Sequence, residues 1–376
     1  MKIKIFFLIF FLLCACSKDD KNRGYFKKIY FLKSNYSQMH DWNKDNHLDS
    51  LATFARSCKK IMLLKPDQIM SRTSSIANEA KGWQLICKNL DMKQIKTNLQ
   101  ARKFYEKWFI PYKVLDNHKK DQGIVTGYYE VSINGHWYKT MQYKYPVYGA
   151  PYPLIKMKRK QWISHAAINR GSLRGKGLEV VWVDDLARLY WMQIQGSGLI
   201  QIETNSMMRL GYDGENGFEY TAIGPFFKKY GARGIKSALD MINWVHKNPT
   251  IGRKLIEHNR SYVFFKKIHA NGPIGRQGIP LISERSVAID DNLYPLGMPL
   301  WLETTLSNAR RGASRKYHRL FIAQDRGGAI KGPLRVDIFF GHGNKAEKTA
   351  CRMNNKGRFF VMFPRSIQIP KQYTYY

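Results

Sequence analysis

The sequence predicts a mainly β fold with some helices, arranged as barrels and not as a doubly wound sheet. Two observations predict it. Beyond Pro111 the chain is a succession of short apolar and β-branched runs broken by Gly, Asn and Pro. Helical spacing is confined to a few stretches, so the strand–helix alternation of a doubly wound sheet is missing.

The elements follow in chain order. Lys2 and Lys4 precede an unbroken apolar run from Ile5 to Leu13, which has signal-peptide proportions and is too short to span a bilayer. Leu13-Cys14-Ala15-Cys16 then has the pattern of a lipobox, with Cys14 slightly irregular in its slot. Residues 1–15 are therefore expected to be an export signal and Cys16 the lipidated first residue. The competing reading is an ordinary cleaved signal with an incidental cysteine. Ser17 in place of Asp, by resemblance to enterobacterial lipoproteins, implies the periplasmic face of the outer membrane.

Residues 16–40, polar, basic and Tyr-rich, read as a tether. Over 42–62, Leu48, Leu51, Phe54, Ala55 and Cys58 mark a helical face, with Asp45 or Asn46 as its cap. Residues 97–109 read as a second helix stopped by Pro111. Strands are expected at GIVTGYYEVSI, LEVVWV, LYWMQIQ, LIQIET, PLWLETT, RLFIAQ, RVDIFF and RFFVMF. Between them, Ile235, Ala238, Leu239, Ile242 and Val245 share one helical face, and Pro249 follows as a stop.

The chain carries a net charge of +34, and loss of Lys2 and Lys4 with the signal leaves +32. Such a balance points to an anionic partner or to a Lys-rich background composition. The cations are spread along the chain, and export removes nucleic acid as the natural partner. After processing, Cys58, Cys87 and Cys351 remain. A Cys58–Cys87 bridge and three free thiols both fit that odd count. No CxxC, HExxH or other metal-ligand spacing occurs, so no metal site is expected.

Three Gly-rich pieces are the candidates for chemistry. Gln195-Gly196-Ser197-Gly198 is too short for a dinucleotide fingerprint and is not a nucleophile elbow; by itself it reads as a tight turn. Thr126-Gly127-Tyr128-Tyr129-Glu130 offers two flat rings, which suit sugars but more often serve packing. The third runs from Ala323 to Gly343 and places Asp325 and Asp337 on either side of a Gly-rich connection. Asp337 lies among Val336, Ile338, Phe339 and Phe340. On a central strand its carboxyl is desolvated and its pKa raised, as a general acid requires. The alternative is that both aspartates organise the turn.

These pieces carry a resemblance to the membrane-bound lytic murein transglycosylase A family. TGYYE at 126–130, PVYGAPYPL at 146–154, QIQGSG at 193–198, RLGYDGENG at 209–217, SYVFFK at 261–266, ERSVAID at 284–290, YPLGMPLWL at 294–302 and AQDRGGAIKGPLRVDIFFGHG at 323–343 occur in family order. The resemblance implies a double-psi β-barrel from 41–127 and 262–376, with a three-aspartate module at about 284–365. It implies a second, smaller β-domain inserted at 128–261, and a groove between the two. TGYYE and SYVFFK would mark the crossings.

The implied activity is cleavage of the β-1,4 bond between N-acetylmuramic acid and N-acetylglucosamine in peptidoglycan, leaving 1,6-anhydromuramic ends. The catalytic acid/base maps onto Asp337. Thr126, Gly127, Tyr128, Tyr129, Gln195, Gly196, Ser197, Gly198, Asp325, Gly327, Gly328 and Ala329 are expected along the substrate, and Asp290 in a supporting role. No cofactor is implied. The partners implied are the glycan strands and, through Cys16, the membrane. Arg326 and His342 stand where the family commonly has threonine. Arg326 is placed to lower the pKa of Asp325 or to reach a stem-peptide carboxylate. The rival readings are a wall-binding lipoprotein without turnover and a basic nucleic-acid binder, the latter disfavoured by the export signal.

Overall fold

The computed structural model describes residues 29–71, 76, 79–151, 163–203, 206–307 and 314–375. The expected signal, the lipobox and Cys16 lie outside the described residues. The described chain forms two compact units: a larger one of residues 25–134, 195–211 and 267–376, and a smaller one of 135–194 and 212–266. Both strand and helix are present throughout, and the fold is mainly β with some helices. No described helix is long and apolar enough to cross a membrane.

The larger unit begins with a departure from expectation. Residues 30–33, within the segment read as a tether, form strand β1 (Tyr30–Lys33). Phe31 on it is fully buried, and that apolar anchor outweighs the polar character of the surrounding sequence. Helix α1 (His47–Ile61) buries Leu51, Phe54, Cys58 and Ile61. Its cap is Asn46, whose side chain accepts from the Asp49 amide at 3.3 Å. Asp45 is used otherwise: it accepts from both terminal nitrogens of Arg285, at 2.8 and 3.0 Å, and from the Leu320 amide at 2.8 Å.

Helix α2 (Ala80–Lys88) is tied to α1 by a Cys58–Cys87 disulfide, which leaves Cys351 as a half-buried thiol. Helix α3 (Asn98–Trp108) starts on a Thr97–Gln100 capping box. It ends because Phe109 turns extended and begins strand β2 (Phe109–Leu115). Pro111, expected as the stop, therefore lies inside a strand, three residues beyond the end of the helix at Trp108. Strand β3 (Gln122–His136) carries the TGYYE motif.

The smaller unit contributes β4 (Tyr145–Tyr148), α4 (His165–Asn169), β5 (Glu179–Val183) and α5 (Leu186–Gln195). The LYWMQIQ run, expected as a strand, is the second half of α5. Leu189, Tyr190, Trp191, Met192 and Gln193 are all buried there. A helix buried on most sides loses its polar stripe and reads like a buried strand. Asp185 settles the matter locally, because its side chain accepts from the Arg188 amide at 3.0 Å and starts the helix.

Strands β6 (Ser197–Glu203) and β7 (Ser206–Glu215) follow. Next come α6 (Gly224–Lys229), α7 (Ala238–Lys247) and α8 (Pro249–Ile256). Pro249 stops α7 as its sequence predicts, and it also opens α8, where its missing N–H and fixed φ suit the first helical position. Strand β8 (Val263–Ile268) leads back into the larger unit.

The remaining elements are β9 (Ser286–Ala288), β10 (Pro299–Ser307), β11 (Ser314–Asp325), β12 (Arg335–His342), α9 (Gly343–Ala350), β13 (Asn354–Pro364) and β14 (Thr374–Tyr375). In the larger unit the strand order runs β14-β1-β2-β13-β10-β11-β9-β12-β3-β6-β7, and β13 pairs with β3 as well. Strands β12 and β3 are parallel, whereas β12 and β9 are antiparallel. Their register sets Asp337 opposite Thr126 on one side and Ala288 on the other. A carboxylate is thereby held in mid-sheet, flanked by the buried side chains of Val336, Ile338 and Phe339.

Candidate active site

Asp337 is the centre of the site. Burial raises its pKa from 3.8 to about 6; the Thr126 hydrogen bond and the Arg335 charge oppose the rise, and the Asp325 charge adds to it. Thr126 Oγ1 donates to Asp337 Oδ1 at 2.7 Å. The Arg335 guanidinium is two residues away along β12, so its side chain leaves the strand on the same face. A carboxyl titrating near 6 is protonated in a useful fraction at neutral pH, and it becomes a competent base once it has given its proton away.

Asp325 ends β11, on the other side of the Gly-rich connection. Tyr128 donates its hydroxyl to Asp325 Oδ2 at 2.9 Å, and the Arg276 amide donates to Oδ1 at 2.8 Å. Burial raises the Asp325 pKa, while these two bonds, the Arg326 amide and the Arg326 charge all pull it down. Arg326 thus acts in the direction its position suggests, and burial outweighs it. The guanidinium groups of Arg276 and Arg326 both approach the buried carboxylate of Asp291, at 3.9 and 3.6 Å.

Asp290 accepts from the Asn292 amide at 3.2 Å and from the Gly332 amide at 2.8 Å. It ties the turn after β9 to the loop entering β12.

The paired tyrosines part company. Successive residues of a strand point to opposite faces. Tyr128 packs its ring on Phe339, with centroids 5.3 Å apart, and directs its hydroxyl to Asp325. Tyr129 is 3% exposed and donates to Glu347 Oε1 on α9 at 3.0 Å. Its expected place along the substrate is therefore corrected to a packing role. Gly127 is also a packing residue: a Cβ there would lie 2.5 Å from the Phe340 ring.

Gln195 closes α5 and accepts the Tyr129 amide at 3.1 Å through its side chain. Gly196 turns the chain with φ +76°, a left-handed conformation suited to glycine, and Ser197 and Gly198 begin β6 opposite Gly211 and Leu210. The QGSG segment is therefore a helix-to-strand turn braced against β3. Gly327, Gly328 and Ala329 form the loop between Asp325 and β12. Gly328 has open space where a side chain would stand, so the backbone there is accessible.

Several participants carried no sequence signal of their own. Arg335, Arg276 and Asp291 surround the aspartates from three different segments. Glu130, inside the TGYYE motif, is fully buried and accepts from Arg209 Nε at 2.8 Å. Arg209 also donates to the Ala270 carbonyl. His342 lies opposite Glu130 in the β12–β3 register, and its charge lowers the Glu130 pKa against the larger effect of burial. Alternation along β3 puts Glu130 on the face opposite the buried Tyr129 and Val131, so its burial has no signal in the strand pattern. Among the described residues no three His, Cys, Asp or Glu side chains converge as metal ligands do.

Comparison with known proteins places these features in a family. Residues 124–266 match the MltA specific insert domain, and residues 285–363 match the 3D domain. The chain is 34% identical over 249 residues to membrane-bound lytic murein transglycosylase A of Vibrio cholerae, covering 65% of this chain and 66% of that protein. Among solved structures, the lytic transglycosylase LtgG of Burkholderia pseudomallei superposes with a TM-score of 0.61 at 30% identity, over 89% of this chain and 96% of that one. The structure of E. coli MltA with bound chitohexaose superposes with a TM-score of 0.66 at 26% identity, over 84% and 90% of the two chains.

Proposed function

Because the chain belongs to the membrane-bound lytic murein transglycosylase A family, we propose that it cleaves peptidoglycan glycan strands with Asp337 as the single acid and base. Membership makes it an enzyme of the peptidoglycan lytic transglycosylase class. The bond cut is the β-1,4 link between N-acetylmuramic acid and N-acetylglucosamine. The single observation that carries the assignment is the raised pKa of Asp337 in mid-sheet, about 6, beside a hydroxyl donor.

The reaction runs in one active-site visit. Protonated Asp337 gives its proton to the glycosidic oxygen as the bond from the muramic C1 to that oxygen breaks. Positive charge builds on C1. The C6 hydroxyl of the same muramic residue attacks C1, and its proton passes to the now ionised Asp337. One C–O bond breaks and one forms, no water is consumed, and Asp337 ends as it began. An ordinary glycosidase uses two carboxylates. Here the nucleophile is intramolecular, and its high effective concentration replaces the second group.

The other aspartates serve the first. The Asp325 charge raises the Asp337 pKa, and Asp325 anchors the Gly327–Gly328–Ala329 loop, whose open backbone is the segment best suited to meet the sugar. Tyr128 positions Asp325. We assign 41–127 and 262–376 to a double-psi barrel on the family resemblance; the pairing of β13 with β3 as well as with β10 is compatible with that assignment. We assign 128–261 to the inserted domain. A lipid on Cys16 would hold the enzyme at the periplasmic face of the outer membrane, next to its polymer.

The test is digestion of purified sacculi, with products identified by mass spectrometry. Anhydromuropeptides are expected from the wild type and not from Asp337→Asn. Reducing-end products would mean hydrolysis and overturn the single-carboxylate mechanism. Pelleting on sacculi with no product would assign the protein to the binders.

A further inference from the structure

The smaller unit contains a cavity of about 330 Å³ that the proposed reaction does not use. Of the fourteen residues lining it, four are cationic and none is acidic: Lys139, Lys144, Arg174 and Arg253. The cations are held at defined points. Lys139 Nζ lies 5.9 Å from the centroid of Trp182, and Lys144 Nζ lies 5.4 Å from that of Tyr145. Arg253 donates to the Asn169 carbonyl at 2.6 Å and to Glu257 at 3.2 Å, which fixes it and partly neutralises it. Arg174 stands close enough to buried Tyr148 to lower its pKa, against the larger upward push of burial and that of Glu179.

The local balance stays positive. The acids near the lining residues are Glu257, which Arg170 also approaches at 3.8 Å, Glu179, and Asp184 and Asp185, which lie in sequence between Trp182 and Leu186. Asp185 is engaged by His246 at 2.9 Å, and none of the four lines the cavity. The lining also includes the apolar Ile168, Leu186 and Leu189 and the rings of Tyr145, Tyr148, Trp182 and Tyr262. A cavity lined by apolar side chains, rings and several cations suits a ligand with carboxylates on a compact body. The volume lies at the small end of ligand pockets, about 300–1,000 Å³, which fits a few residues and not a polymer.

We infer that this cavity binds a short carboxylate-bearing peptide of the kind attached to the glycan, as a site separate from Asp337. The inference rests on peptidoglycan being the substrate. The shared chemistry is the peptide's carboxylates, and two sources supply it: stems still attached to the wall, and soluble fragments already released.

The test uses the full-length Asp337→Asn protein in detergent, so that binding is read without turnover. Isothermal titration compares a soluble disaccharide-tetrapeptide, the free tetrapeptide and the disaccharide without peptide. Both peptide-bearing probes should bind, with affinity falling as salt rises. The Lys144→Ala/Arg174→Ala double variant should bind roughly tenfold more weakly, about 1.4 kcal/mol. Both side chains are exposed, and a circular dichroism melt confirms the fold. Competition by intact sacculi assigns the site to attached stems; failure of sacculi to compete assigns it to released fragments.

Equal binding of the peptide-free disaccharide, no binding of the tetrapeptide, or unchanged binding by the double variant would each overturn the inference. Digestion of sacculi by the wild-type protein is scored in parallel. Cleavage without peptide-dependent binding sinks the cavity alone. Peptide binding without cleavage sinks the enzymatic reading and leaves the cavity standing.

Discussion

Thr126 and Asp337 face each other across the parallel strands β3 and β12, and the threonine hydroxyl donates to the carboxylate at 2.7 Å. The bond has two effects. It fixes the carboxyl's orientation, and it stabilises the ionised form that burial disfavours. Asp337 is therefore tuned by opposing forces, with burial winning.

Cleavage should depend on the protonated fraction of Asp337. On a logarithmic plot the rate is expected to fall as pH rises above about 6. Stability should follow the same group. Its folded pKa lies above the unfolded value, so its contribution is complete below pH 3.8 and declines as pH rises through about 6. Asp337→Asn should abolish turnover and, above that pH, stabilise the fold by at most about 3 kcal/mol. Thermal melts at acid and neutral pH check the second half.

Removing the threonine hydroxyl should shift the pH limb upward. Thr126→Val deletes a bond that lowers the Asp337 pKa, so the rate should hold to higher pH while its maximum drops. Thr126→Ser, which keeps a hydroxyl, should restore the wild-type profile. A pH–rate series on solubilised glycan strands separates this from a general loss of packing, which would lower the rate without moving the limb.

Asp325→Asn should act in the opposite direction. The Asp325 charge raises the Asp337 pKa, so neutralising it moves the limb to lower pH. The asparagine oxygen still accepts from the Arg276 amide, and its Nδ2 donates to the Tyr128 oxygen in place of accepting from it, which keeps the loop in place. If the limb moves upward instead, the two carboxyls are not coupled as their positions imply.

The Glu130–Arg209 pair should be costly to break and cheap to replace. Glu130 is fully buried, so Arg209→Ala leaves an uncompensated buried carboxylate and should destabilise by about 3–5 kcal/mol. The double change Glu130→Leu/Arg209→Met should recover most of that loss. Urea denaturation of the three proteins measures both.

Reduction of the Cys58–Cys87 bridge should lower stability by about 2–4 kcal/mol, since it joins α1 to α2 across a separation of 29 residues. Melts with and without reductant, and of Cys58→Ser/Cys87→Ser, are expected to agree. Cys351 should react with a thiol reagent before reduction, and the other two only after it.

Local signals survived into the structure where one face or one cap dominates. Asn46, Thr97 and Ser237 cap their helices. Seven of the eight predicted strand runs lie on strands of the structure. LYWMQIQ failed because burial on most sides erases the period that separates helix from strand. The tether failed over residues 30–33 because a single buried ring, Phe31, recruits a short stretch into the sheet.

By itself the sequence determined the β-rich class, most element positions, the family resemblance and the identity of Asp337 as the acid to examine. These reside in spacing over a few residues, or in motifs read in order. Only the tertiary structure decided that Tyr128 turns to Asp325 while Tyr129 turns to Glu347, that Cys58 pairs with Cys87, and that Asp337 titrates near 6. Thr126 and Asp337 are 211 residues apart. Desolvation and hydrogen bonding between groups so distant depend on strand register and on what packs around them, and no local pattern encodes either.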